Sequence, residues 1–219
     1  MNNYKGHSHQ LFGQYTYSQH GEDLMLMNLC RLMKLEKPSF IDLGAYHPFH
    51  ISNSALLYEH GSRGINVEAN PLLLDAFRQK RPEDINLWMG VGTAPGNMLF
   101  YMESDNSVLN SFKESSCEQH NIKFKTSQWV PVITLNEIID RYYEGKFPDI
   151  LLTDIEDLDF DVLHTADFEK SKPKIILSEI RLHQSDLTKT MMRGQGFSYL
   201  CRISENHIFI QDEYYQYCV

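Results

Sequence analysis

The sequence predicts an α/β fold on a mostly parallel sheet, and two observations carry that prediction. Short apolar runs of strand length alternate with segments of helical period between residues 21 and 196, which places helices on both faces of parallel strands. The last two apolar runs, Phe197–Ile203 and His207–Gln211, are separated only by Ser204-Glu205-Asn206. That spacing reads as a hairpin, adding an antiparallel strand at the sheet edge.

The elements follow in order. Residues 1–16 have few periodic apolar positions and read as a loose arm, which together with the next helix occupies residues 1–36. Gly21–Leu35 has apolar residues at helical spacing and must end before Pro38. Phe40-Ile41-Asp42-Leu43-Gly44 is a buried strand that ends in a turn. Ser54–His60 is a helix, with Ser52 or Asn53 as its cap and Gly61 as its stop. Gly64–Glu68 is the second strand, Pro71–Lys80 a helix opened by proline, and Asn86–Val91 the third strand. Met98–Met102 is an extra strand, and residues 103–130 form a long polar excursion of the kind that serves as a lid or an acceptor-site insertion. Thr134-Leu135-Asn136-Glu137 is a capping box that opens a helix to about Glu144. Strands at Asp149–Asp154 and Lys174–Glu179 alternate with helices at Leu158–Thr165 and Asp186–Met192. The pattern is Rossmann-like, and such sheets bind ligands beyond the carboxyl ends of their strands, where strand order reverses.

Composition bounds the function. The 219 residues suit one domain, 1–219, and 42% hydrophobic content gives it a core. Twenty basic against 29 acidic residues leave a charge of −9, which excludes a general attraction to nucleic acid or anionic lipid. No apolar run is long enough to span a membrane, and the N-terminal residues are polar with no export pattern. The four cysteines are scattered without a C-x-x-C pair, so a cytoplasmic protein with reduced thiols is expected.

Polar residues at the strand ends are the informative ones. Asp42, Glu68, Asp154 and Glu179 each finish an apolar run, which sets four acids along one rim. Singly, each acid has the plain role of capping the next helix; together they mark a ligand edge. The turn after the first strand, Gly44-Ala45-Tyr46-His47-Pro48, lacks the glycines of a pyrophosphate cradle, which opposes a nicotinamide-dependent oxidoreductase. A nucleoside without phosphates fits better, with Glu68 accepting from both ribose hydroxyls. S-adenosylmethionine matches, because its sulfonium and amino group suit a carboxylate rim.

These residues form an ordered set. Tyr17-Ser18-Gln19-His20-Gly21-Glu22-Asp23, Phe40–Pro48 with Ser52-Asn53, Asn66-Val67-Glu68-Ala69-Asn70-Pro71, Val130–Leu135 and Asp154–Phe160 together resemble the FkbM-type methyltransferase family over residues 17–180. The resemblance implies a class I methyltransferase fold with a mostly parallel seven-stranded sheet, S-adenosylmethionine as cofactor, and O-methylation of a sugar, glycan or natural product. It assigns Asp42, Gly44 and Ala45 to the cofactor turn, where Gly44 would let the methionine moiety pass close to the backbone. Glu68, Ala69 and Asn70 fall at the ribose, Gly90 of Met89-Gly90-Val91 at the adenine, and Asn53 near the cofactor carboxylate. Gln19, Glu22 and Asp23 would close over the methionine end, and Asp154 and Glu156 would face the reaction centre. Two positions depart from the family: Ala69 where proline is usual, and Asp157 where glycine is usual. If that glycine is left-handed, aspartate takes its place at a cost of order 1 kcal/mol. The departure at Asp157 bears on the acceptor site, on metal binding, or on loss of turnover. The last of these would make the chain a catalytically reduced S-adenosylmethionine-binding module.

Methyl transfer to oxygen needs an aligned hydroxyl and a group to take its proton. His183, just past the fifth strand, is the first candidate base, ahead of His47 and His20, with Asp154 and Glu179 as the neighbouring acids. Mg²⁺ on Asp154, Glu156, Asp157 and Glu179 is the other route to an activated hydroxyl. The aromatic tail (Tyr214, Tyr215, Tyr217) is expected to pack on the sheet, with stacking on a sugar or a partner chain in a homodimer as its alternatives.

Overall fold

The computed structural model describes residues 9–11, 13–114 and 123–219. Cys117, the middle of the 103–130 excursion and the start of the N-terminal arm lie outside the described residues.

The first described elements are two short strands, β1 (His9–Leu11) and β2 (Gln14–Thr16), paired antiparallel around Gly13. The arm is therefore not wholly loose, a correction to the sequence reading: Gly13 at φ +80° supplies the tight turn that a three-residue hairpin needs. Helix α1 (Glu22–Leu32) follows. The strands β3 (Phe40–Leu43), β4 (Gly64–Glu68) and β5 (Ile85–Trp88) alternate with α2 (Ala55–Glu59) and α3 (Pro71–Lys80). Next come β6 (Gly90–Val91), β7 (Gly96–Met102) and β8 (Thr126–Ile133). Helix α4 (Leu135–Tyr142) opens on the expected capping box, with Thr134 and Glu137 bonded reciprocally. Strand β9 (Ile150–Thr153), α5 (Asp159–Thr165), β10 (Ile175–Glu179), a 3₁₀ turn at Leu182–Gln184, α6 (Ser185–Gly194), the hairpin β11 (Phe197–Ile203) and β12 (Asn206–Gln211), and a short α7 (Asp212–Tyr215) complete the chain.

Seven strands form the main sheet in the order β11-β12-β10-β9-β3-β4-β5, parallel except where β12 lies antiparallel to both neighbours. The order reverses between β3 and β9, so the crevice of a doubly wound sheet opens past Leu43 and Thr153. The expected strand at 86–91 divides in two. Residues 85–88 pair with β4, whereas Gly90 and Val91 leave the sheet to pair with β8 in a three-stranded sheet of order β6-β8-β7. The last residues of the 103–130 excursion belong to β8 and are not part of any loop.

Pleating sorts the strand residues onto two faces. On one, Leu26, Leu29 and Cys30 of α1 pack with Phe40, Ile150, Leu152, Ile175, Leu177, Ile208 and Ile210. On the other, Ile138 and Ile139 of α4, Val162 and Leu163 of α5 and Met192 of α6 pack with Ile41, Leu43, Ile65, Val67, Leu151, Ile176 and Phe209. The tail joins the first face through Tyr214, Tyr215 and Cys218, while Tyr217 is exposed.

Among the described residues one arginine lies wholly inside. Arg81, at the end of α3, packs over the rings of Phe40, Tyr58 and Phe77 and pairs with Asp84 at 2.8 Å. It also donates to Ser54 Oγ at 3.0 Å, and Ser54 Oγ donates to Asp42 at 2.5 Å. Ser54 occupies the N-cap position of α2 in place of Ser52 or Asn53, but its hydroxyl is committed to Asp42 and caps no helix N–H. Removing one member of a buried pair leaves the other charge without an answer. Arg81→Met should therefore cost about 3–5 kcal/mol in urea unfolding. The double variant Arg81→Met/Asp84→Asn should recover part of that loss. Strictly additive losses would mean that the pair is not coupled.

Candidate active site

The pleat explains why the acids meet. Asp42 and Asp154 lie two residues beyond Phe40 and Leu152, and Glu179 two beyond Leu177, all three on the face covered by α1. Glu68 lies two beyond Asn66, which bonds Asp84 on that same side. The register pairs Leu43 with both Val67 and Thr153, and Ser178 with Thr153. Glu68, Asp154 and Glu179 are consequently level along the rim, with Asp42 two residues deeper. They line a cavity of about 290 Å³ at the switch point, within the range of small-ligand sites.

At one end sits Glu68. Its two carboxylate oxygens accept the backbone N–H of Tyr46 (2.8 Å) and of Asn70 (2.7 Å), leaving each a second acceptor position toward the cavity. That is the provision a cis-diol such as ribose requires. Asn70 also caps α3 through Leu72 N–H and donates to the carbonyl of Asp105. Tyr46, at φ +55°, donates its hydroxyl to the carbonyl of Asn106. The segment after β7 is thus tied down over the cavity by neighbours of Glu68, and Val108, Leu109, Asn110 and Phe112 form its inner wall. Phe112 fills the space a side chain at Gly90 would take, its nearest ring carbon 2.3 Å from where a Cβ would stand, and packs tilted on Phe100 at 4.9 Å. Gly90 and Phe112 together form an apolar wall of the cavity.

Gly44 has a different role from the one expected. A Cβ there would fall 1.8 Å from the carbonyl oxygen of Asp154, and the residue sits at φ +77°. Its N–H and that of Ala45 both go to the carbonyl of Val67, so neither is offered to a ligand. The glycine lets the exits of β3 and β9 touch.

At the other end of the cavity the acids gather. Asp154 and Glu179 lie close enough to act on each other's ionisation, and Glu156 and Glu205 line the cavity beside them. Arg181 is the one cation among the lining residues. Its guanidinium reaches Asp157 at 2.7 Å, Glu205 at 2.8 Å, and Glu156 and Glu179 at 3.4 Å. Burial pushes the carboxyls up: Asp42 to about 6, Glu68 to about 7, Glu156 to about 8 and Glu179 to about 9. Asp154, fully enclosed, is raised well above the carboxylate range by burial and then by Asp159, Glu156 and Asp42. The cavity therefore carries more carboxyl groups than one arginine neutralises, which is an environment built for a cation.

Of the expected site residues, the structure brings Gln19, Asp42, Gly44, Ala45, Asn53, Glu68, Ala69, Asn70, Gly90, Asp154, Glu156 and Glu179 to one cavity. Glu22 and Asp23 are not there. Asp23 is buried holding Tyr17 N–H and the hydroxyls of Thr16 and Ser18, and Glu22 holds His20 N–H and Asn206. His183 is a further correction. It is exposed on the 3₁₀ turn and absent from the wall, because Arg181 takes the inward position at the exit of β10. His47 and His20 lie outside the wall as well, His47 accepting from Phe49 N–H and His20 beside Glu22. Among the described residues no group of three or more His, Cys, Asp or Glu side chains is set to hold a metal ion. Three of the four acids proposed for Mg²⁺ are ion-paired to Arg181 instead. Asp157 does adopt the left-handed conformation, at φ +72°, and Lys113 Nζ bonds its carbonyl at 2.8 Å. Sequence reasoning missed Arg181 and Phe112, which sit in no pattern that marks them, and gave no role to Tyr46, although it lies in the turn after the first strand.

A mostly parallel sheet with this order and an acid-lined cleft at its switch point defines the Rossmann-like class of α/β proteins, which take a ligand past the strand ends. The chain matches the sequence profile of the methyltransferase FkbM domain over residues 42–199, and it belongs to that family. No curated protein matches it in sequence. Two solved structures align over most of its length. One is a protein assigned as an RNA methyltransferase from Pyrococcus horikoshii, with a TM-score of 0.46, 12% identity, and 87% of this chain and 83% of that one covered. The other is a TehB-like S-adenosylmethionine-dependent methyltransferase from Corynebacterium glutamicum, with a TM-score of 0.43, 13% identity and 88% of each chain covered.

Raised carboxyls make the ligand-free fold sensitive to alkali. Each binds its proton more tightly folded than unfolded, so stability is lost as pH rises from the unfolded value near 4 through the folded one. Above pH 7 the penalty from Glu156 and Glu179 is still growing. His207, held down to about 4 by burial, works the other way only below its ordinary 6.5. Urea unfolding should show stability falling between pH 7 and 8.5, by about 1.4 kcal/mol per pH unit for each carboxyl that titrates. A flat or rising profile would mean these groups are not buried as described.

Proposed function

We propose that this chain transfers a methyl group from S-adenosylmethionine to a hydroxyl of a small-molecule or glycan acceptor, with Glu179 taking the proton. The observation that carries the reading is the surplus of buried carboxyls at the far end of a cleft whose near end offers a diol acceptor. Glu68 would hold the ribose, the apolar wall at Gly90 and Phe112 would flank the base, and Gln19 and Asn53 would meet the amino-acid end. S-adenosylmethionine, when bound, supplies an electrophilic methyl carbon and takes back the C–S electron pair. A positive charge bound beside Asp154 and Glu179 would favour their ionised forms. Glu179 receives the acceptor proton at a carboxylate oxygen as the acceptor lone pair forms the new O–C bond. The positive charge is lost in the same event, and the proton affinity of Glu179 rises toward its ligand-free value of about 9, which retains the proton. Arg181 meets Glu156, Asp157 and Glu179 where Mg²⁺ was considered, so a metal there would first have to displace the guanidinium. The left-handed Asp157 is accommodated and ion-paired, which favours an active enzyme over a reduced binding module.

Titration calorimetry with S-adenosylhomocysteine tests the cofactor part. The wild type is expected to bind in the micromolar range. Glu68→Ala should bind about 100-fold more weakly, the loss expected when two hydrogen bonds to a charged acceptor go. Glu68→Gln keeps the side chain's shape and serves as the folding control. Absence of wild-type binding, or equal binding by Glu68→Ala, would overturn the assignment.

A further inference from the structure

We propose that Arg181, clamped by Asp157, is a positioning residue for the Asp154–Glu179 carboxyl pair. Its guanidinium is the built-in counter-charge that keeps the pair ionisable beside the methyl donor. The inference rests on the cofactor reading above and concerns the ion pair between Asp157 and Arg181.

The geometry carries it. Arg181 leaves β10 two residues after Glu179 and turns back over the cavity, where its N–H groups face Asp157, Glu205, Glu156 and Glu179. The shortest of these contacts, at 2.7 Å, is the one from Nε to Asp157. That bond fixes the plane of the guanidinium, so the terminal nitrogens are the ones presented to Glu156, Glu179 and Glu205. Asp157 is itself held twice, through its carboxylate by Arg181 and through its carbonyl by Lys113. A glycine here would keep the left-handed turn and lose the clamp. The groups facing the pair from the surrounding elements are acidic: Asp42 on β3, Glu156 and Asp157 after β9, Asp159 on α5, and Glu205 in the β11–β12 turn. Against them stands Arg181, with the Lys113 ammonium engaged at the Asp157 carbonyl. Without the guanidinium, these carboxyls would hold their protons to higher pH and meet a sulfonium in neutral form.

The distinction between sulfonium and thioether reads this directly. S-adenosylmethionine and S-adenosylhomocysteine share every group but the methyl and its positive charge, so the ratio of their affinities reports the charge of the rim. Calorimetric titrations of both ligands between pH 5.5 and 8.5 give a midpoint at which the preference for the sulfonium develops. Arg181→Gln should move that midpoint up by about one pH unit or more. Arg181→Lys, which keeps the charge without the fork, should restore at least half of the shift, and Asp157→Gly should fall between wild type and Arg181→Gln. Arg181 acting only as a wall would lower both affinities equally and leave the midpoint fixed, and that result would overturn the proposal. Affinity for S-adenosylhomocysteine at pH 6 serves as the measure of an intact fold in each variant. Failure of the wild type to bind either ligand would instead overturn the cofactor reading, and this inference with it.

Discussion

The structure depends on carboxyl groups held out of water on one face of a parallel sheet. Each acid follows an apolar strand by the two-residue pleat, so the packing that builds the core also delivers Asp42, Asp154 and Glu179 to the same side. Glu68 arrives there by the same rule through Asn66. Burying carboxylates without equal positive charge is costly, and the chain meets that cost in two ways. It raises their proton affinity, most strongly at Asp154, Glu156 and Glu179, and it places two arginines against them from opposite ends. Arg81 works from below through Ser54 and Asp42, and Arg181 from above through Glu156 and Glu179.

The two arginines are not equivalent. Arg81 is enclosed by Phe40, Tyr58 and Phe77 and forms part of the core, so its contribution is to stability and to the setting of Asp42. Arg181 is partly open to solvent at the end of the cavity away from Glu68, where it balances the neighbouring carboxyls without being enclosed by them. The segment after β7 completes the arrangement by binding Tyr46 and Asn70 beside Glu68 and Asp157 beside Arg181. One strap thereby touches both halves of the site.

Much of this was legible in the sequence, and the boundary of what was legible is physical. The strand-end acids could be read because a pleat has a fixed period, and Thr134-Leu135-Asn136-Glu137 because a capping box is a local hydrogen-bond pattern. The mostly parallel sheet with an antiparallel edge followed from the alternation of elements and the terminal hairpin, and its seven strands from the family resemblance; the strand order comes from the structure. What could not be read depends on contacts between distant segments. Nothing local distinguishes Arg181 from a surface arginine or His183 from a base; which one turns inward is decided by the exit angle of β10 and by Asp157, 24 residues earlier. Gly44 looked like a ligand-facing glycine, yet its partner is the backbone of Asp154, 110 residues on. Glu22 and Asp23 matched a functional motif, but their oxygens are consumed in holding Thr16–Ser18 and Asn206. Phe112 had no signal at all, since its place above Gly90 is set by the path of the strap.

The central claim is that the cleft is protonated when empty and becomes an anion when it meets a sulfonium. The most direct measurement is the number of protons released on binding at pH 7, obtained by calorimetry in two buffers of different ionisation enthalpy. Binding of S-adenosylmethionine should release about one proton more than binding of S-adenosylhomocysteine, because only the former brings a positive charge to Asp154 and Glu179. Equal proton release for the two ligands would contradict the account.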